Sequence, residues 1–300
     1  MREIGYEHGK KYLLNGEGTS FFVLGRFKMK EIKQALVQAG DDVRATGPMA
    51  PSITNFVTID FVANAQIAVG GSAAMVYMPD EGEAMAEIAN CIYINVGTLM
   101  PSHGDTIAAA AKRAYEKSAY VLDPVAIGIG ELRTKLLSDM KEYPPKIVRG
   151  NASEIISLAK MWGLVDSDKG AVRGVDSTDT VESAKASAEA LAKFIGGAVC
   201  VSGKEDIVTD GERTVRSFGG SEFFARITGS GCSLGGVCAV YASVTDPFTA
   251  ALAATNAYNV AGKTAEGEAK GTASFKVAFL DALSNLSGED IANCEMEVLE

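Results

Sequence analysis

The run Ile227-Thr228-Gly229-Ser230-Gly231-Cys232 joins a β-like segment to an apolar, alanine-rich stretch, and its composition suits an anion. A glycine-rich turn at a helix start leaves successive backbone N–H groups free, and the helix macrodipole adds a positive field there. Small residues at Gly229, Ser230 and Gly231 let the backbone approach a phosphate closely. The alternative is a tight strand-to-helix turn that holds no ligand. Cys232 falls at the helix N-terminus, where a thiol pKa is lowered and a side chain can face a reacting group; its alternative is a packed thiol. Cys238, less than two turns later, should face elsewhere and belong to the core.

Two carboxylates stand where a metal–nucleotide complex needs them. Asp123 follows the run Tyr120-Val121-Leu122, and Glu154 opens a helix after Arg149-Gly150-Asn151. Magnesium takes one or two carboxylates plus phosphate oxygens and water, so this pair suffices, although a turn-capping Asp and a first-turn Glu have the same appearance. Arg149, at the end of the Lys146–Val148 run, offers a guanidinium fork for phosphate, or else a surface salt bridge. Ser202, Gly203 and Lys204 end the next run and can meet a nucleotide through hydroxyl and backbone. Nearer the start, Asn55 can hydrogen-bond a small polar heterocycle or cap a helix, and Met75 can wall a pocket or fill core. His103, after Pro101-Ser102, reads as a solvent-facing or capping residue at a helix start.

These residues need elements to hold them at one place. β-rich runs at Cys91–Val96, Tyr120–Leu122, Lys146–Val148 and Ala198–Val201 alternate with helical stretches at Asp80–Ala89, Gly104–Lys117, Leu132–Lys141, Ala152–Trp162 and Thr178–Ile195. Strands spaced by helices of this length indicate βαβ units and a mainly parallel sheet, in which ligands bind at the carboxyl ends of the strands. Ile207–Thr209, Thr214–Phe218 and Glu222–Ile227 read as shorter strands, the first two forming a hairpin edge at Asp210-Gly211. Cys232–Thr264 should form one or two buried helices, and Ser274–Leu286 the last helix. An amphipathic helix is expected over Met29–Gln38, ended by Ala39-Gly40-Asp41-Asp42. After the segment Ser52-Ile53-Thr54-Asn55-Phe56-Val57 an apolar helical stretch is expected to run to Gly70-Gly71-Ser72-Ala73-Ala74-Met75. Residues 1–27 show no clear period and are treated as an N-terminal extension of uncertain order, preceding a single domain over 28–300.

The 300 residues carry 28 Lys and Arg against 38 Asp and Glu, a net charge of −10, which disfavours nucleic acid and anionic membranes as partners. The five cysteines, Cys91, Cys200, Cys232, Cys238 and Cys294, form no Cys-x-x-Cys pair, and only His8 and His103 add imidazoles, so a structural zinc site is not expected. Scattered thiols, no long apolar span and a charged start point to a cytoplasmic protein.

Seven ordered motifs carry a resemblance across residues 48–287: Ile53-Thr54-Asn55, Ala63-Asn64, Ile94-Asn95-Val96-Gly97-Thr98-Leu99, Val121-Leu122-Asp123-Pro124-Val125, Arg149-Gly150-Asn151-Ala152-Ser153-Glu154, Gly174-Val175-Asp176-Ser177 and Thr228-Gly229-Ser230-Gly231-Cys232. Together they resemble the hydroxyethylthiazole kinases. The resemblance implies an α/β ribokinase-like fold, with a mainly parallel sheet flanked by helices on both faces, assembled as a homotrimer with active sites between subunits. It implies transfer of the ATP γ-phosphate, with Mg2+, to the hydroxyl of 4-methyl-5-(2-hydroxyethyl)thiazole in thiamine salvage. By the same resemblance Met75, Gly229, Asn55 and Val57 serve the thiazole, Arg149, Ser202 and Asn151 the ATP, and Asp123 and Glu154 the magnesium–phosphate network. Cys232 aligns with a position where many ribokinase-like kinases carry an aspartate base, while Gly229, Ser230 and Gly231 supply amides.

Three departures from the family pattern stand out. Asp60 replaces an Asn, Ala73 replaces a Pro two positions before Met75, and Ala126 replaces the Gly of an Asp-Pro-Val-Gly segment. The first two bear on the acceptor pocket. A hydroxymethylpyrimidine kinase, another small-alcohol kinase of this fold and a noncatalytic nucleotide- or thiazole-binding protein are the alternatives.

Overall fold

Strands Ile92–Asn95, Tyr120–Asp123 and Ile147–Asn151 are buried along nearly their whole length, the condition under which parallel strands are covered by helices on both faces. The structure, a computed structural model, describes residues 3–7, 10–14, 19–166 and 181–299. The Gly174–Ser177 motif lies outside the described residues. In chain order the elements begin with β1 (Glu3–Glu7), β2 (Lys10–Leu14), α1 (Thr19–Thr46), β3 (Met49–Ile53), α2 (Ile59–Ala68), β4 (Ser72–Met75), α3 (Pro79–Ile88) and β5 (Ile92–Asn95). Next come α4 (His103–Lys117), β6 (Tyr120–Asp123), α5 (Glu131–Asp139), β7 (Ile147–Asn151), α6 (Ala152–Met161), α7 (Val181–Ile195) and β8 (Ala198–Ser202). The chain closes with β9 (Asp206–Thr209), β10 (Thr214–Ser217), a 3-10 turn over Glu222–Arg226, α8 (Ser230–Ala242), α9 (Pro247–Glu268), α10 (Thr272–Asn285), α11 (Gly288–Ala292) and β11 (Met296–Leu299).

β1 and β2 pair antiparallel with each other, and the remaining strands form a sheet in the order β11-β10-β9-β8-β7-β6-β5-β3-β4. β4 through β8 with β3 run parallel, while β9, β10 and β11 alternate in direction. One core, between the sheet and the layer that includes α1, α2, α8, α9 and α10, contains Tyr93, Val121, Ile147 and Cys200. The other, under α3 to α7, contains Ile94, Leu122, Val148 and Val199. Side chains alternate along a strand. Asn95, Asp123 and Arg149, each two residues after an α8-side residue, are therefore turned toward α8.

Buried Gln66 locks part of this frame. Its Nε2 donates to Ala50 O at 2.9 Å, Ser52 Oγ at 3.0 Å and Gly236 O at 3.2 Å, joining α2 to β3 and α8.

Several expectations need correction. α1 begins at Thr19 and continues to Thr46, through the Ala39–Asp42 segment expected to end it. Gly40 is a packing residue, since a Cβ there would stand 2.6 Å from Gly288 Cα, and α1 crosses α11 at this point. The helical stretch expected to reach Met75 ends at Ala68, and Ser72–Met75 is the edge strand β4. Glu222–Arg226 forms a 3-10 turn, not a strand: Ser221 Oγ accepts from Phe223 N at 3.1 Å, and Phe224 packs on Tyr258, Phe275 and Phe279. The β9–β10 hairpin is present but is not the edge, because β11 pairs outside it.

Candidate active site

The chain passes from β3 to β4 on one side and returns to β5 on the other, so the strand order reverses between β3 and β5. A crevice opens at such a point, outside the carboxyl ends of the two strands. Asn55 follows β3 and Asn95 ends β5; Asn55 Nδ2 donates to Asn95 Oδ1 at 3.1 Å and reaches Cys232 Sγ at 3.6 Å. Asn55, Asn95 and the start of α8 thus meet at one place, as the sequence reading requires for Asn55 and Cys232.

Gly229 caps α8 with φ 91°, a left-handed conformation, and a Cβ there would lie 2.9 Å from Thr58 Cγ2. Its carbonyl accepts from Ser233 N at 2.8 Å, which starts the helix and leaves the N–H groups of Ser230, Gly231 and Cys232 without intrahelical acceptors. Ser230 Oγ donates to Phe224 O at 2.9 Å and pins the turn from behind. The sheet approaches α8 across its glycines. A Cβ on Gly231 would stand 2.6 Å from both terminal nitrogens of Arg149, and one on Gly235 would stand 2.4 Å from Tyr93 Cε2.

Arg149 is therefore a buried cation beneath the anion turn, not a surface one, with Nη1 3.4 Å from Asp123 Oδ2. Burial opposes its charge, but the Asp123 and then the Glu154 carboxylates outweigh it and raise its pKa. A cation behind the positive end of a helix is unfavourable unless negative charge arrives in front. Asp123 supplies part of that charge and also accepts from Tyr93 Oη at 3.0 Å and Asn95 Nδ2 at 3.1 Å. Burial, opposed by Arg149, raises the pKa of its carboxyl, and its Oδ1 is buried with no hydrogen-bond partner.

The expectation of a lowered thiol pKa at Cys232 is corrected. Burial first and the Asp123 carboxylate second push it up to about 11 against the pull of Arg149, so the thiol is neutral. Cys238 is core, as read. Glu154 closes a capping box: Oε2 accepts from Asn151 N and Asn151 Oδ1 accepts from Glu154 N, both at 2.9 Å. Its Oε1 reaches Ala126 N at 3.3 Å, and so braces the turn after Asp123. Asn151 and Ser202, paired across β7 and β8, line a cleft of about 630 Å³ with Gly203, Lys204, Val181 and Arg216. Arg149 does not line that cleft; it stands under the α8 turn.

Met75 ends β4 half-buried against the α8-side core, and Val57 is exposed. His103 is not solvent-facing but buried: its ring lies beside Phe56 and Tyr77, and its Nδ1 accepts from Met100 N at 3.3 Å. Asp60 accepts from Asn64 Nδ2 at 2.9 Å and pairs with Lys276 at 3.7 Å on an exposed face of α2. Sequence reasoning assigned no role to Asn95 or Tyr93. A polar residue closing the apolar run Ile92–Ile94 was the available signal for Asn95; an aromatic inside that run gives none for Tyr93.

The hydroxyethylthiazole kinase family profile matches residues 41–289, which include every site residue described above. This chain belongs to the hydroxyethylthiazole kinase family. Among members of that family, the hydroxyethylthiazole kinase of Bifidobacterium adolescentis is 50% identical over 273 residues, covering 87% of this chain and 93% of its own. The solved hydroxyethylthiazole kinase protein of Pyrococcus horikoshii OT3 superposes with a TM-score of 0.80 at 29% identity, covering 89% of this chain and 100% of its own. A ribokinase-like superfamily protein of Enterococcus faecalis V583 shares the fold at a TM-score of 0.60 and 13% identity, over 85% of this chain and 95% of its own. The α/β ribokinase-like architecture expected from the motifs is the one observed. Among the described residues no helix is long and apolar enough to cross a membrane.

Proposed function

We propose that this chain transfers the γ-phosphoryl group of ATP to the hydroxyl of 4-methyl-5-(2-hydroxyethyl)thiazole, a step of thiamine salvage in the cytoplasm. One observation carries the reading: the free amides of the α8 turn, the buried Arg149 behind them and the Asn55–Cys232 pair converge at the β3/β5 crevice.

Phosphoryl transfer passes through a loose transition state, so the protein's task is to position the reactants and stabilise charge. The N–H groups of Ser230, Gly231 and Cys232 face the migrating group, and Arg149 reinforces their field through Gly231. Asn55 sets the acceptor heterocycle beside Cys232. The neutral Sγ orients the alcohol and need not take its proton before the new P–O bond forms. Asn151 and Ser202 hold the nucleotide in their cleft, with Met75, Val57 and Gly229 walling the thiazole.

The acidic groups fit a magnesium ion, since Asp123 has an unused buried oxygen and each Glu154 oxygen accepts a single N–H. Asp123 and Glu154 would hold it, directly or through water, and it would neutralise charge on the β- and γ-phosphates.

A homotrimer with shared sites accounts for exposed Phe56, Val57, Met78 and Met100 around the Phe56–Tyr77 ring stack, an apolar group at the site's mouth. ADP release with saturating magnesium and ATP, measured on the thiazole alcohol and on the hydroxymethylpyrimidine alcohol, tests the activity. Preference for the pyrimidine would overturn it. Light scattering tests the trimer.

A further inference from the structure

α9 is rich in alanine, yet it turns Asn256 and Asn259, both buried, onto β9 and β10. Asp206 opens β9 and Ser217 ends β10 directly opposite it. Asn259 Nδ2 donates to Asp206 Oδ2 at 3.0 Å and to Ser217 Oγ at 2.9 Å, and Ser217 Oγ donates to Asn256 Oδ1 at 2.7 Å. Although part of Asp206 is exposed, burial pushes its carboxyl up to about 6. Apolar residues of the same size would serve the α9–sheet contact as well or better. The cluster therefore has a use other than cohesion.

Its outward bonds show which. Asp206 Oδ1 accepts from Gly203 N at 3.0 Å, fixing the turn that follows Ser202 in the nucleotide cleft. Asn259 O accepts from Gly220 N at 2.9 Å, and a Cβ on Gly219 would stand 3.1 Å from that oxygen. The segment so held leads into the 3-10 turn, where Phe224 packs on Tyr258 and against Gly262, one residue before and three after Asn259. Phe224 O then receives the Ser230 hydroxyl of the anion turn. One stretch of α9 thus holds the cleft turn by a side chain and the lead-in to the phosphate turn by a carbonyl.

We propose that Asp206 and Asn259 are positioning residues that fix the Ser202–Gly203 turn relative to the Gly229–Gly231 turn, and so govern capture of ATP rather than of the alcohol. This rests on reading the Ser202 cleft as the nucleotide site. Losing a charge-assisted hydrogen bond in such a support corresponds to about a tenfold or greater weakening. Asp206→Ala and Asn259→Ala should each raise KM for ATP, and Kd for the magnesium complex of a non-hydrolysable ATP analogue, by about tenfold, with KM for the alcohol within about twofold.

Asp206→Asn alone sets two amide donors against each other. The double variant Asp206→Asn/Asn259→Asp restores a donor–acceptor pair and should recover ATP affinity. The proposal is overturned if the alanine variants leave ATP affinity unchanged, if KM for both substrates moves equally, or if the exchanged pair is no better than Asp206→Asn. Wild-type enzyme inactive on the thiazole alcohol would defeat the functional reading instead, and the analogue titration would still decide the role of the pair.

Discussion

Gly231→Ala tests the placement of Arg149 beneath the anion turn. The added methyl would stand 2.6 Å from Nη1 and Nη2 and 2.9 Å from Cζ, so the guanidinium must retreat or α8 must lift. Retreat is restricted because the group is buried and its 3.4 Å approach to Asp123 is already long for a hydrogen bond. Overpacking of this kind costs about 1–3 kcal/mol, and parting a buried ion pair about 3–5 kcal/mol. Tyr93 and Asn95 still bond Asp123, which keeps the second figure from applying in full. Alanine also gains helix propensity over glycine by up to about 1 kcal/mol, less in a first turn. A net loss of about 2 kcal/mol is expected in urea unfolding at pH 7, with a raised KM for ATP. Arg149→Lys replaces the planar fork by a slimmer cation. In the double variant the two losses should fall short of their sum by about 1 kcal/mol or more, because one change relieves the other. A single variant within about 0.5 kcal/mol of wild type, or strictly additive losses, would refute the reasoning.

The remaining expectations are simpler. Cys232→Ala should lower kcat by about tenfold and leave ATP affinity unchanged, because a neutral orienting thiol contributes less than the 100-fold or more of a general base; unchanged turnover removes it from the mechanism. Ala126 has φ 58°, and Ala126→Gly should raise the melting temperature by the equivalent of about 1 kcal/mol, with no rise showing that the turn is unstrained. The Asp206 carboxyl is raised from 3.8 to about 6, so its contribution to stability is present below the ordinary carboxylate range and lost as pH rises through about 6. Unfolding of wild type and Asp206→Asn at pH 4.5 and 7.5 should show the larger wild-type advantage at the lower pH; the opposite trend contradicts the shift. Gly40→Leu should destabilise by several kcal/mol through the α1–α11 crossing, and a neutral effect would mean the two helices separate readily.

Where a feature depends on local pattern, the sequence predicted it well. The apolar runs around Val121, Val148 and Val199 are interrupted by helical stretches, and each is a central strand, because burial on both faces removes the polar residues that would blur the pattern. Asp123 and Arg149 stood out for the same reason, as charges next to such runs. What sequence did not disclose depends on which strands become neighbours. Asn95 matters because β5 lies in register with β6, placing it opposite Asp123, and because β3 lies on its other side, bringing up Asn55. Gly40 read as a helix stop because a close helix crossing and a helix end both call for glycine, and only the partner, Gly288, distinguishes them.

Cys232 shows the competition most plainly. Its position at a helix start is local and argues for a lowered thiol pKa, by the effect of a partial positive charge worth at most about 2 kcal/mol. Its desolvation is tertiary, set by how deeply α8 settles on the sheet across Gly231 and Gly235, and the Asp123 carboxylate opposes a thiolate as well. Arg149 lies close enough to favour the thiolate but is already engaged with Asp123. The burial that brings Cys232 up to the crevice therefore also keeps its proton in place. A residue so held can aim an alcohol at an anion turn but is a poor acceptor for its proton, which a loose transition state does not demand early.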